Sequence, residues 1–251
     1  MQQSSMEFPA VRPFSLSIRH VKMQEAAEQN VRQHHLHSEC EIYINLSGDV
    51  SFMVEEKIYP IRPGDAILTR PYEYHHCIYH SDAPHEHFWI LFSAEGNEAL
   101  FPLFFCRERG EGNRIVLPRE EQTRMFGHCR ALLAGEGGLL ARYQHFFALL
   151  SLLRTGTAAE EESAQVPEEL RRVLEYINVN YAGPIAVGAL AEMAFVSRNT
   201  LERRFQQYLG VSPYAYITEK RLTCSLHLLL RGAIKREYTG HIWVDTSVNS
   251  R

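Results

Sequence analysis

The apolar residues of this chain change their period once, and that single change limits the architectures open to it. Between residues 14 and 93 the pattern is a series of short alternating or β-rich runs, at 14–21, 41–46, 50–54, 66–69 and 87–92. Turn residues separate them at Ser47-Gly48-Asp49, Glu55-Glu56-Lys57 and Pro63-Gly64-Asp65. Side chains alternate across a strand, so such punctuated runs describe a sandwich or barrel. After Gly96 the spacing becomes three-and-four, the repeat of a helix with one buried face, over 100–106, 120–133 and 139–153. The fold class expected is therefore α+β, with the strands first.

Charge divides the chain at a second point. From Val166 onward there are 11 Lys+Arg and 8 Asp+Glu, a net of +3, whereas the residues before it carry 15 and 22, a net of −7. The boundary falls in 156–166, a stretch of small and acidic residues with no apolar period, which reads as a linker. The organisation expected is a module over 1–155, the linker, a helical module over 167–232, and an atypical polar tail over 233–251. No run of 18 apolar residues occurs and no charged start leads into an apolar segment, so neither a membrane span nor a secretory signal is expected. A cytoplasmic location follows. The five cysteines are scattered without CxxC spacing, which argues for free thiols rather than disulfides or a zinc knuckle.

Eight of the 13 histidines fall between positions 34 and 87. His35 and His37, two apart, share one face of a strand. The run His35-Leu-His37-Ser-Glu-Cys-Glu41, followed after six residues by Gly48, matches the first motif of the cupins. Pro63-Gly64-Asp65 and Pro71-Tyr-Glu-Tyr-His75 are similar to the second, although Tyr72 stands where a glycine is usual. This part therefore resembles a cupin, which implies a jelly-roll β-barrel with flanking helices and a site at His35, His37, Glu41 and His75. Three imidazoles and a carboxylate would suit a divalent transition metal. The same groups could instead hydrogen-bond an organic effector, or serve only as satisfied strand residues.

The helical module carries the more specific pattern. Ser197 reads as the N-cap of a helix over 198–208, preceded by a short helix over 187–194; Gly210 reads as its left-handed stop, and Ser212-Pro213 as the start of a long helix to 231. Leu190-Ala-Glu-Met-Ala-Phe-Val-Ser197-Arg-Asn-Thr-Leu201-Glu-Arg-Arg-Phe205, then Gly210-Val-Ser-Pro213-Tyr-Ala-Tyr216, is similar to the first helix-turn-helix of AraC/XylS-type transcription regulators. Phe195 occupies a position where glycine is frequent. A cupin sensor followed by such a module is the usual order in that family, so the resemblance implies a ligand-responsive, DNA-binding regulator rather than an enzyme, with no cofactor required. Only 19 residues follow Gly232, without a second such motif, so a shortened DNA-binding domain is expected.

With Leu201 and Phe205 facing inward, Asn199, Glu202 and Arg203 are the residues expected at base edges, and Arg198, Arg204, Gln206 and Lys220 at phosphates. The partners expected are double-stranded promoter DNA, a small-molecule effector with a sugar among the candidates, and a second copy of the chain docking through helix 139–153. Two other functions share part of this pattern. One is a metal-dependent cupin enzyme, and the other is a non-DNA-binding modulator that dimerises with full-length relatives.

Overall fold

The computed structural model describes residues 11–24, 37–55, 57–158 and 167–234. The described residues contain nine strands: β1 (Leu16–Met23), β2 (Cys40–Ser47), β3 (Val50–Val54), β4 (Lys57–Ile61), β5 (Ala66–Thr69), β6 (His75–Tyr79), β7 (His85–Phe92), β8 (Arg114–Val116) and β9 (Thr157–Ala158). They form two antiparallel sheets, one of six strands in the order β1-β7-β2-β5-β8-β9 and one of three in the order β4-β3-β6. Among the described residues the expected jelly roll is a double sheet, and no ladder joins its two sheets.

Period-two alternation assigns the faces. On β2, Cys40, Ile42 and Ile44 point outward into a core shared with α1 (Pro102–Phe105), α2 (Arg119–Ala134) and α3 (Gly138–Leu153), where Met125, Cys129, Phe146 and Leu149 meet them. Tyr43 points inward to Phe52, Tyr59, Ile67, Cys77 and Tyr79, so the space between the sheets has its own apolar wall. The tight turn joining β2 to β3 needs a glycine at position 48. Its φ is +105°, and a Cβ there would sit 2.5 Å from His85 Nδ1.

The strands β4, β6, β8 and β9 are not evident from the sequence pattern. Pro60 weakens the signal in β4, yet it is tolerated because β4 is an edge strand, where a missing N–H costs no ladder bond. Thr157 and Ala158, within the expected linker, pair with β8; residues 159–166 lie outside the described residues.

The helical part consists of α4 (Glu168–Asn180), α5 (Val187–Met193), α6 (Arg198–Leu209) and α7 (Pro213–Ile234). Leu190, Ala191, Leu201 and Phe205 are buried together as the pattern predicts, joined by Leu170, Val173, Leu174 and Ile177 of α4. That cluster also contains Met53, Ile58, Tyr74 and Ile78 from the three-stranded sheet or the turn beside it, so the outer face of that sheet packs on the helix-turn-helix. The molecule is layered accordingly: helices, six-stranded sheet, inter-sheet space, three-stranded sheet, helical module. The expected tail falls outside the described residues from 235 onward. Among the described residues no helix is long and apolar enough to cross a membrane, and the five cysteines are free.

Candidate functional site

Between the two sheets lies a cavity of about 250 Å3, just below the roughly 300–1,000 Å3 usual for small-molecule sites. Arg19 and Val21 of β1, Glu41 and Tyr43 of β2, Phe52 of β3, His75, His76, Cys77 and Tyr79 of β6, and His87 and Trp89 of β7 line it. Within this lining the Arg19 guanidinium stands over the Trp89 ring, 5.2 Å from its centroid.

Three of the four expected motif residues meet here, and His35 lies outside the described residues. His37 Nε2 is 3.0 Å and His75 Nε2 3.2 Å from the same oxygen of Glu41, and the three ligand atoms lie within 4.8 Å of one another. Each ring is held from its other side. His37 Nδ1 lies 3.0 Å from the Glu39 carbonyl and His75 Nδ1 2.6 Å from the Glu73 carbonyl, so both Nδ1 atoms carry hydrogen and donate. An imidazole so oriented turns its Nε2 lone pair toward a carboxylate oxygen. Two acceptors in contact repel, so a proton or a cation belongs between them. Metal bonds of about 2.1 Å put neighbouring ligand atoms roughly 3.0–3.4 Å apart, and a histidine that ligates commonly gives its other N–H to a carbonyl. The donor set, the two Glu41–histidine spacings and the outer hydrogen bonds fit a divalent transition metal.

Glu73 supports this arrangement from behind. It is fully buried and accepts hydrogen bonds from Arg107 Nη1 at 2.9 Å, Arg107 Nη2 at 2.6 Å, and the Gly110 and Arg70 amides at 2.8 and 3.0 Å. Burial alone would raise its pKa, but the Arg107 hydrogen bonds and charge, with those amides, hold it below the usual carboxylate value.

Four further polar groups in or beside the cavity, Tyr43, Cys77, His85 and His87, are neutral near pH 7. Burial, then the neighbouring His85, lowers the His87 pKa to about 3, and burial lowers that of His85 as well. Burial raises the Tyr43 phenol and the Cys77 thiol far above neutrality. Tyr43 Oη, His85 Nε2 and His87 Nδ1 form a chain with spacings of 2.7 and 3.0 Å. Sequence reasoning singled out none of Arg19, Tyr43, His87 and Trp89. The available signal was the inward-facing series His85, His87, Trp89 on β7, polar or amphipathic at every second position and alternating with Phe88 and Ile90 on the other face.

On the helical module, Ser197 caps α6 by accepting the Thr200 amide at 3.1 Å, and Gly210 ends it with φ +70°. Phe195, in the turn before it, takes φ +54° and leaves its ring 86% exposed; Tyr72, the other residue in a glycine place, takes φ +58°. Both positions keep the left-handed backbone without the glycine. Asn199, Arg203 and Gln206 are exposed and Glu202 is half-buried, and their spacing of three and four puts them on one face of α6. Arg198 Nε donates to Glu202 at 3.0 Å, an exposed pair worth about 0.3–0.5 kcal/mol and easily exchanged for a new partner. Gln206 Nε2 donates to the Gly210 carbonyl at 3.0 Å, and Arg204 pairs with Glu169 of α4. Lys220 departs from expectation: it is buried, with Nζ 2.8 Å from Glu55 Oε2 on the β3–β4 turn, because α7 packs on the three-stranded sheet. In this structure it does not stand where a phosphate could reach it.

The sequence matches two known families. The AraC-like ligand binding domain matches residues 23–165, more than half of the chain, and a helix-turn-helix domain matches 190–236. This protein is a member of the AraC family of regulators. It is 24% identical over 202 residues to an uncharacterized HTH-type transcriptional regulator, YbfI, of Bacillus subtilis, covering 79% of this chain and 74% of that one. It is 29% identical over 178 residues to the arabinose operon regulatory protein of Salmonella typhimurium, covering 67% of this chain and 62% of that one. The crystal structure of the AraC-like transcriptional activator CuxR aligns with 84% of this chain and 76% of its own, at 12% identity and a TM-score of 0.34. As an AraC-type regulator the chain pairs a ligand-binding domain with a DNA-binding one, and the cavity and the exposed face of α6 are the corresponding candidate sites.

Proposed function

We propose that the inter-sheet cavity is the effector site, that it takes a small neutral polyhydroxylated molecule of the sugar class, and that the effector controls promoter binding through α6. The observation that carries this reading is the character of the cavity wall. Trp89, Tyr43, Phe52 and Tyr79 offer aromatic faces, while His87, Tyr43 and Cys77, neutral near pH 7, stand beside the charged Arg19 and Glu41. Neutral hydrogen-bonding groups between aromatic planes suit hydroxyls on a carbon ring better than an anion. The arabinose operon regulatory protein among the relatives is consistent with this class.

The His37–Glu41–His75 cluster is the candidate for a divalent transition metal, with His35 as the further ligand that the motif implies. Asn199, Glu202 and Arg203 are proposed to read bases, with Arg198, Arg204 and Gln206 positioning the backbone of the duplex. Leu133, Leu139 and Leu140 at the α2–α3 hairpin are exposed and are proposed to meet a second copy of the chain in a cytoplasmic homodimer. A metal-dependent cupin enzyme would share the metal cluster, but it would leave the helix-turn-helix without a task.

Thermal shifts with a panel of pentoses and hexoses, and separately with Zn2+, Ni2+ and Mn2+, test the site. The expected result is stabilisation that Trp89→Ala abolishes for the sugar and His37→Ala for the metal. Stabilisation by a ligand that survives both changes would move the effector site elsewhere.

A further inference from the structure

The buried contact between the sensor and α7 has the build of a latch, and it begins one residue from the cavity. His75 faces the inter-sheet space, whereas the preceding Tyr74 faces α7. Tyr74 Oη donates to Glu219 Oε2 at 3.1 Å, and its ring meets that of Tyr216 edge-on at 6.1 Å. The Tyr74 amide donates to Glu55 Oε1 at 3.1 Å, and its carbonyl accepts the Glu55 amide at 2.8 Å. Glu55 Oε1 also receives Arg109 at 3.1 Å, and the second oxygen receives Lys220 at 2.8 Å. A single short segment, Glu73-Tyr74-His75, therefore joins the Glu41 cluster on one face of the three-stranded sheet to α7 on the other.

The electrostatics give the latch a direction. The chain before Val166 is acidic and the chain after it basic, so docking the two brings negative charge against the DNA-binding module. Lys220, which the sequence pattern puts among the phosphate contacts, is 7% exposed and neutralised by Glu55. We propose that the Glu55–Lys220 and Tyr74–Glu219 contacts are an autoinhibitory latch that withholds a DNA-binding cation, and that occupancy at His75 opens it through the Glu73–His75 segment. The second clause rests on the reading of the cavity as the effector site; the first does not.

The test uses the full chain and a mixed-sequence 30-base-pair duplex, titrated at several salt concentrations, with hydrogen exchange of the α7 amides followed in parallel. Glu55→Gln keeps an acceptor for the Tyr74 amide and removes the charge that holds Lys220. It is expected to lower α7 protection and to steepen the slope of log affinity against log salt by about 1, one phosphate contact more. If that contact is purely electrostatic and vanishes near 1 M salt, binding at 50 mM tightens by about 15- to 20-fold. Lys220→Met breaks the latch without supplying a cation, so α7 protection falls and the slope stays as in the parent. An unchanged slope in Glu55→Gln with α7 protection lost would overturn the withheld-cation role, and so would a steeper slope in Lys220→Met. His75→Ala, which touches neither ion-pair partner, is expected to lower α7 protection as well. Full protection in that variant refutes the link to the cavity, and the Glu55→Gln result still judges the latch.

Discussion

Glu73 offers the largest single effect that the structure allows to be worked out. Its carboxylate has no solvent exposure and is shared by five N–H donors. Oε1 accepts from Arg107 Nη1 and the Gly110 amide, and Oε2 from Arg107 Nη2, the Arg70 amide and Asn113 Nδ2. Glu73→Gln has nearly the same shape, but one oxygen becomes an NH2 group. Whichever way the amide turns, at least two donors then face a donor. The Arg107 guanidinium, whose side chain is only 11% exposed, loses its counter-charge in the same step. Removing one partner of a buried, hydrogen-bonded pair costs about 3–5 kcal/mol. In a chain of this size each kcal/mol moves the midpoint by about 2–4 °C, so Tm should fall by roughly 6–20 °C. Thermal and urea unfolding followed by circular dichroism measure this. The double variant Glu73→Gln/Arg107→Met removes the stranded charge and should recover part of the loss. A Tm within about 3 °C of the parent for Glu73→Gln, less than 1–2 kcal/mol, would refute the argument that these donors depend on a carboxylate.

Phe195→Gly should stabilise the helix-turn-helix, since the ring is 86% exposed and φ is +54°. Relief of about 1–2 kcal/mol at the left-handed position is offset by about 0.4–1 kcal/mol of added unfolded-state freedom, and a lower urea midpoint would contradict the strain. Burial, partly opposed by the Tyr74 hydrogen bond, raises the pKa of Glu219 from 4.5 to about 7. The folded chain thus holds this proton more tightly than the unfolded one, so its contribution to stability falls as pH rises from about 4.5 to 7 and is flat above. With the group partly solvated, the loss should be on the order of 1 kcal/mol, seen as a pH-dependent difference between the parent and Glu219→Gln in urea titrations; parallel pH profiles would disprove it. Leu140→Asp places a charge on a side chain that is 71% exposed, so it should leave folding intact. Light scattering at tens of micromolar is expected to show a dimer for the parent and a monomer for this variant, and equal masses would count against the hairpin interface.

What the sequence alone determined is what depends on near neighbours. Ser197, Gly210, Ser212 and Pro213 set the ends of α6 and the start of α7 because capping is satisfied within a few residues, and the structure repeats those boundaries closely. The alternation in β2 and the Gly48 turn are local for the same reason. The resemblance to the cupin motifs implied a grouping of His37, Glu41 and His75, and they do converge on one oxygen. Only the tertiary structure decided which other groups join them. Arg19, Trp89 and His87 reach the cavity because β1 pairs with β7 and β7 with β2, pairings between residues far apart in the chain that no local period encodes. Lys220 shows the same limit in reverse. On an isolated helix-turn-helix it is a surface cation suited to a phosphate, but packing of α7 on the three-stranded sheet buries it against Glu55. Burial and charge pairing are set by whichever surface arrives from elsewhere in the chain, and for Lys220 that surface is the sensor.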